Sequence, residues 1–162
     1  MQALTTGSGR IPPSPWELRD PHQVHPGVDL ACVGADLEPV TVLHAYAMGL
    51  FPMQVDTELG EQELGWWCPD PRGILRLEEI IVSRSLRRSM QKFTVTFDQE
   101  FVLVMRACWR AGGEGNWITD EFVQTYSHLH ERGFAHSVEV WNSEGELAGG
   151  LYGIELGGLF AG

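Results

Sequence analysis

Residues 147–162, LAGGLYGIELGGLFAG, constrain the fold more than any other stretch of this chain. Apolar residues recur between glycines, and Gly157-Gly158 stand where a two-residue hairpin turn belongs. The segment is therefore predicted as a strand, a tight turn and a second strand. An apolar strand with no further partner leaves an edge that folded proteins normally cover or charge, and natural termini are usually polar and frayed. The expectation is that the chain forms the front part of a longer domain, divided inside its sheet.

The 162 residues suffice for one domain, or one plus a small lobe. The apolar content, 43%, is ordinary for a globular protein and predicts a core. No run of about 18 apolar residues is present, so no membrane helix is indicated, and the start has no apolar h-region. Cys32, Cys68 and Cys108 are an odd count, far apart, with no Cys-x-x-Cys. That disfavours a disulfide framework or a zinc site, predicts buried or half-buried thiols, and makes a reducing cytosol the simplest setting. The net charge of −11 argues against a general nucleic-acid binder. Its distribution is uneven: residues 65–110 carry 8 basic and 5 acidic groups, whereas residues 1–64 carry 2 and 9, and residues 111–162 carry 1 and 8. A positive island can contact phosphates inside an acidic chain, because screening confines fields to about 8 Å at physiological salt. The acidic remainder suits a cationic peptide, or simply a soluble surface.

Residues 1–10 read as a flexible lead-in, 11–63 as an N-terminal lobe with a proline-rich arm and one helix, and 64–162 as the main domain. Trp16 is expected to anchor the arm. Asp36 is placed as a helix N-cap, with Val40, Leu43, Tyr46 and Ala47 on the buried face and Gly49 closing the helix. Residues 54–63 read as a loop, Trp66 and Trp67 as the start of a short strand, and 73–77 as another strand. Ser83 caps a basic helix over 84–91, and TVTF at 94–97 alternates like a strand. Asp98 is expected to cap a helix reaching Trp109, with Phe101, Val102, Met105 and Cys108 buried. A glycine-rich loop at 111–115 follows. Thr119 caps the next helix, with Asp120 and Glu121 in its first turn and Gly133 at its end. Helices followed by an antiparallel meander give an α+β order.

Several side chains invite chemistry. Arg84, Arg87 and Arg88 fall at i, i+3 and i+4 and share a face with Lys92 nearby, a candidate phosphate-contacting cluster that is equally a solvated helix face. Asp70 and Arg72 are expected to pair internally. His128 and His130 point to different sides of a helix, and no glutamate stands at metalloprotease spacing, so no metal is predicted. His136, Ser137 and Glu139 are not a nucleophile triad, since alternate residues along one strand are not expected to converge on each other. No phosphate-binding glycine loop precedes a helix, so no nucleotide cofactor is expected.

Four segments in order carry a resemblance: VGADLEPVTVLHAYAMGLFPM (33–53), GWWCPDPRGIL (65–75), NWIT (116–119) and AHSVEVW (135–141) running on to GGLYGIELGGLFAG (149–162). In order and spacing they resemble the bacterial leucyl/phenylalanyl-tRNA–protein transferase family over roughly residues 11–162. The resemblance implies an N-acetyltransferase-like (GNAT-like) domain behind a small lobe. It implies transfer of leucine or phenylalanine, with methionine a further candidate, from aminoacyl-tRNA to proteins beginning with arginine or lysine. That reaction marks the acceptor for degradation in the N-degron pathway and takes place in the cytoplasm, without cofactor or metal.

Residue by residue, the resemblance implies that Trp117 stacks on the terminal adenosine. Met53 stands where members often have a tryptophan on the adenosine's other side; it offers an apolar contact but no planar ring. Leu151, Phe160 and Gly162 are implied in the pocket for the amino-acid side chain, and Arg84, Arg87, Arg88 and Lys92 as tRNA phosphate contacts. Gly149, Gly150, Gly153, Gly157 and Gly158 fit a closely approaching ligand or tight turns equally. The residues handling the amine proton are expected after Gly162, so no catalytic residue is named. Alternatives of another class are a non-catalytic remnant that binds tRNA 3′ ends or peptides weakly, or another GNAT-like acyltransferase.

Overall fold

The computed structural model describes residues 4–6, 9–11, 13–56, 60–109 and 117–162. Leu4–Thr6 (β1) and Gly9–Ile11 (β2) pair antiparallel within the stretch where the sequence predicts a flexible lead-in. The arm that follows carries a short 3-10 turn at Pro21–Gln23, where the Asp20 carboxylate accepts from the His22 N–H, and a second turn closed by the Val28 N–H on the His25 carbonyl at 3.0 Å. Trp16 holds the arm as expected, but through its edge: the indole N–H donates to Asp36 at 2.6 Å while the ring stays half-exposed. Leu18 supplies the buried apolar anchor.

The N-terminal sheet consists of Leu30–Val33 (β3), Phe51–Asp56 (β4) and Gln62–Trp67 (β5), in the antiparallel order β3-β5-β4. Pro39–Met48 (α1) lies before β4 and ends on Gly49, whose φ of 86° is the left-handed conformation that glycine adopts at no steric cost. Four expectations change here. Asp36 does not cap α1; Glu38 holds that position without a side-chain bond, and Asp36 accepts from the Trp16 indole and the Glu38 N–H. The buried residues are Thr41 to Ala45 in succession, not one stripe, because α1 is enclosed on several sides; Ala47 is exposed. The polar segment read as a loop pairs as β4 and β5, and Trp66 and Trp67 end a strand rather than begin one. Trp66 is fully buried and its indole donates to the Gly34 carbonyl at 2.9 Å.

Arg72 does not pair with Asp70. Its guanidinium donates to the Gly49 carbonyl at 2.8 Å and lies 5.5 Å from the Phe51 ring centre. From residue 70 to residue 95 every residue is exposed. No strand forms over 73–77; a 3-10 turn at Leu77–Glu79 follows instead, because the apolar run has no strand beside it to pair with. Arg84–Met90 (α2) begins as predicted, with the Ser83 hydroxyl accepting from the Leu86 N–H.

The second sheet joins Thr94–Phe97 (β6), Ala135–Trp141 (β7), Leu147–Leu156 (β8) and Leu159–Ala161 (β9), antiparallel in the order β6-β7-β8-β9. Phe101–Cys108 (α3) and Asp120–Glu131 (α4) intervene between β6 and β7 and pack on one face of the sheet. Their Phe101, Val104, Met105, Phe122, Tyr126 and Leu129 are buried with Tyr152 and Ile154 of β8. A Cβ on Gly150 would stand 2.8 Å from Val104, so α3 presses on the bare β8 backbone there. Thr119 caps α4 and Gly157-Gly158 form the tight turn, both with positive φ. Asp98 is not a cap: its φ is 57°, its carboxylate turns to β7, and Glu100 precedes α3. Val102 and Cys108 consequently face solvent while Val104 is buried. Cys32 and Cys68 are half-buried, and no disulfide joins the three cysteines. The Tyr46 and Tyr126 hydroxyls, 2.9 Å apart, tie α1 to α4. The result is an α+β chain with antiparallel sheets.

Candidate functional site

The strand register sorts the second sheet into two unlike faces. Thr96 pairs with Glu139, and Ser137 with Tyr152, on the side covered by α3 and α4. On the opposite side Phe97, Val138 and Leu151 form one cross-strand row, and Val95, Val140 and Gly149 the next. Phe160, paired with Glu155, belongs to this outer side too. Leu151 is 47% exposed and Phe160 40%. A Cβ on Gly162 would stand 2.9 Å from Phe160 Cε1 and 3.1 Å from Leu151 Cδ1. Leu151, Phe160 and Gly162, which the resemblance implies in the side-chain pocket, meet at one point on the outer face. That point is apolar, open, and floored by the Val138 row.

Trp117 stands two residues before Thr119, the N-cap of α4, and is half-buried. Its ring meets Phe122 edge to face, with centres 5.2 Å apart. The glycine-rich loop at 111–115 lies outside the described residues. Met53 sits on β4 opposite Gly65, half-buried in the other sheet. Arg84, Arg87 and Arg88 project from α2, with Lys92 just beyond it, all exposed and without an ion pair among the described residues. Arg76 and Arg106, by contrast, are engaged by Glu78, Glu79 and Asp120. No three His, Cys, Asp or Glu side chains among the described residues are grouped to hold a metal ion.

Beneath the outer face lies a polar network that the sequence does not announce. Glu139 is fully buried. Its carboxylate accepts from the Ser137 hydroxyl and the Thr96 hydroxyl, each at 2.5 Å, and from the Glu100 N–H at 3.4 Å. Burial pushes its carboxyl up, but the bonds from Ser137, Thr96 and the backbone outweigh burial and leave its pKa below the ordinary carboxylate value. Thr96 in turn accepts from the Trp141 indole at 2.8 Å. Asp98 behaves alike: desolvation raises its pKa, and bonds to His136 and the Ser137 N–H lower it further than burial raises it. His136 Nδ1 stands 2.8 Å from Asp98 Oδ2, and His130 Nδ1 is 2.9 Å from the Ala135 carbonyl with its ring stacked on Phe101. Ser137 and Glu139 thus do converge along one strand, contrary to expectation, because residues two apart share a face. His136 points the other way, so the three are still not a triad. The signal available beforehand was Ser137 and Glu139 alternating with Val138 and Val140, which leaves open which set is buried.

Comparison with known proteins agrees with the resemblance. Residues 74–162 match the family described as leucyl/phenylalanyl-tRNA protein transferase, and residues 35–70 match that family's N-terminal domain. The chain is similar to the leucyl/phenylalanyl-tRNA–protein transferase of Maridesulfovibrio salexigens, 44% identical over 90% of this chain and 62% of that protein. It is 45% identical to that of Pseudomonas fluorescens over 98% of this chain and 67% of that protein, and 48% identical to that of Alcanivorax borkumensis over 82% and 55%. The chain thus spans about three fifths of the length of the relatives it matches.

Proposed function

Because the chain belongs to the leucyl/phenylalanyl-tRNA–protein transferase family, we propose that it supplies the aminoacyl-tRNA side of an aminoacyltransferase. The observation that carries the reading is the meeting of Leu151, Phe160 and Gly162 on an open apolar spot of the β7–β8–β9 sheet. An unbranched-at-Cβ apolar side chain such as that of leucine or phenylalanine fits such a spot, and a charged one would lose its hydration without compensation. The domain is of the GNAT-like type, with the N-terminal lobe as a separate unit in front of it.

In the proposed reaction the α-amino group of an acceptor beginning with arginine or lysine attacks the ester carbonyl of the aminoacyl-tRNA. A peptide N–C bond forms, the ester C–O bond breaks, and the tRNA 3′-hydroxyl leaves with a proton that originates on the amine. The ester is already activated, so orientation and proton handling supply the catalysis. Trp117 offers the adenosine a stacking surface, Met53 an apolar contact on its other side, and Arg84, Arg87, Arg88 and Lys92 the phosphate contacts. Proton handling is placed on residues that follow position 162 in the relatives. The acceptor is a protein whose degradation the new N-terminal residue promotes, in the cytoplasm.

The test joins this chain to the remaining third of the Pseudomonas fluorescens relative and measures transfer from leucyl-tRNA. Trp117→Ala is expected to raise KM for leucyl-tRNA with the Phe122 helix intact by circular dichroism. Unchanged KM and kcat would remove Trp117 from the site, and absence of transfer to any peptide would sink the reading as a whole.

A further inference from the structure

Arg72 is exposed, yet its guanidinium is fixed by two contacts. It donates to the Gly49 carbonyl at 2.8 Å and stands 5.5 Å from the centre of the Phe51 ring. The first contact completes the C-terminal end of α1, where a cation is favoured, and leaves the other donors of the fork free. No carboxylate lies within ion-pair distance of Arg72 among the described residues, whereas Arg76 and Arg106 are both so engaged. A guanidinium that is exposed, unpaired and held against a ring is preorganised for an anion, and its planar fork matches a phosphate.

The surface beside it is flat and apolar. Phe51 pairs with Trp67 and Met53 with Gly65, so these residues share one side of the N-terminal sheet, opposite the buried Pro52 and Trp66. Gly65 has no Cβ, and the Trp67 indole takes that space: its Nε1 stands 2.9 Å from where the carbon would be. That nitrogen is buried without a partner among the described residues, so packing alone, not a hydrogen bond, lays the ring along the sheet. Burial raises the pKa of the Tyr46 hydroxyl, and the Tyr126 hydroxyl and the Arg72 charge oppose the rise. Arg72 is therefore within electrostatic reach of the tyrosine pair that ties α1 to α4.

We propose that Arg72 binds the phosphodiester on the 5′ side of the terminal adenosine of aminoacyl-tRNA, with Phe51 and Trp67 as the apolar floor beneath the nucleotide that leads into it. The inference rests on the reading that Met53 contacts the adenosine. Along β4, Met53 and Phe51 lie about 7 Å apart, the span from a base to the phosphate of its own nucleotide. A base on Met53 thus brings its 5′ phosphate to the Phe51 ring, where the guanidinium waits. Aromatic side chains joined by an arginine are the composition on which single-stranded nucleic acid is held. Capping α1 requires only the Gly49 bond; it requires neither the ring contact nor the absence of a carboxylate partner. Arg84, Arg87, Arg88 and Lys92 remain for phosphates further along the tRNA.

Titration of this chain with adenosine and with cytidylyl-(3′→5′)-adenosine tests it, because only the second probe carries the phosphodiester. The dinucleotide is expected to bind about tenfold more tightly. Its log affinity should fall against log salt concentration with a slope of about −0.7, which adenosine lacks; this reading needs no variant. Arg72→Ala is expected to bring the dinucleotide to the affinity of adenosine, and Arg87→Ala to preserve the difference. Equal affinities and equal salt slopes for the two probes would overturn the proposal. So would an Arg72→Ala chain in which both probes weaken by the same factor, since Arg72 would then serve α1 alone. Loss of the difference on Arg87→Ala would overturn it in favour of α2. Binding of neither probe would remove the adenosine reading, and this inference with it.

Discussion

Replacing Glu139 by glutamine should destabilise the fold by about 2 kcal/mol, and the cause can be traced atom by atom. Hydrogen bonds to a charged group contribute about 1.5–3 kcal/mol and neutral ones about 0.5–1.5. Two hydroxyls donate to the carboxylate, from Ser137 and Thr96, so neutralising it loses about 1 kcal/mol at each. Glutamine also presents an NH2 where both neighbours now donate. The Thr96 oxygen is engaged by the Trp141 indole, so the amide must turn its NH2 toward Ser137, whose hydroxyl can rotate to accept. Glu139→Ala removes the acceptor altogether, leaves the Glu100 N–H and two hydroxyls short of a partner, and opens a cavity; about 4 kcal/mol is expected. Urea unfolding reads both, and a 2 kcal/mol loss moves the midpoint by about 1 M.

The pH dependence gives the sign. The folded pKa of Glu139 lies below its ordinary value, so its contribution is present above about pH 4.3 and is lost as pH falls through the folded pKa. The gap between the native chain and Glu139→Gln should therefore narrow in acid. A glutamine variant as stable as the native chain at neutral pH, or a gap independent of pH, would refute the charged-network account.

Trp117→Ala should raise KM for aminoacyl-tRNA by about 5- to 150-fold, the equivalent of 1–3 kcal/mol of stacking, while Trp117→Phe retains most of it; steady-state transfer kinetics decide. Leu151→Phe should shrink the pocket and reduce phenylalanyl transfer about tenfold more than leucyl transfer, read from competing charged tRNAs. Tyr126→Phe removes the hydroxyl that meets Tyr46 between α1 and α4 and should cost about 1 kcal/mol in urea unfolding.

Local chemistry was legible wherever it decides the conformation by itself. Ser83 and Thr119 announce their helices, and Gly49, Gly133 and the Gly157-Gly158 turn fix where elements end, because each depends on a residue's own backbone preferences. The errors came where distant partners decide. The polar segment around Val55 and Leu64 became a hairpin because the β5 strand lies between β3 and β4. Residues 73–77 look like a strand by composition and have no strand to pair with. Asp98 resembles a cap and instead serves His136, 38 residues away. On β7 the periodicity was plain, but which face is buried depends on whether Glu139 finds enough donors, and besides Ser137 on β7 itself these are Thr96 on β6 and the Glu100 N–H just before α3. Leu151, Phe160 and Gly162 were named through the resemblance, and that they meet on one face followed only from the strand register.

The most direct test of the central claim is transfer of labelled leucine from charged tRNA to peptides beginning with arginine, lysine or glycine, using the chain joined to the remaining third of the Pseudomonas fluorescens relative. The account predicts transfer to the arginine and lysine peptides, little to the glycine peptide, and a loss when Trp117 or the Leu151–Phe160 wall is altered. Transfer that ignores the acceptor's first residue, or that survives all three substitutions unchanged, would contradict it.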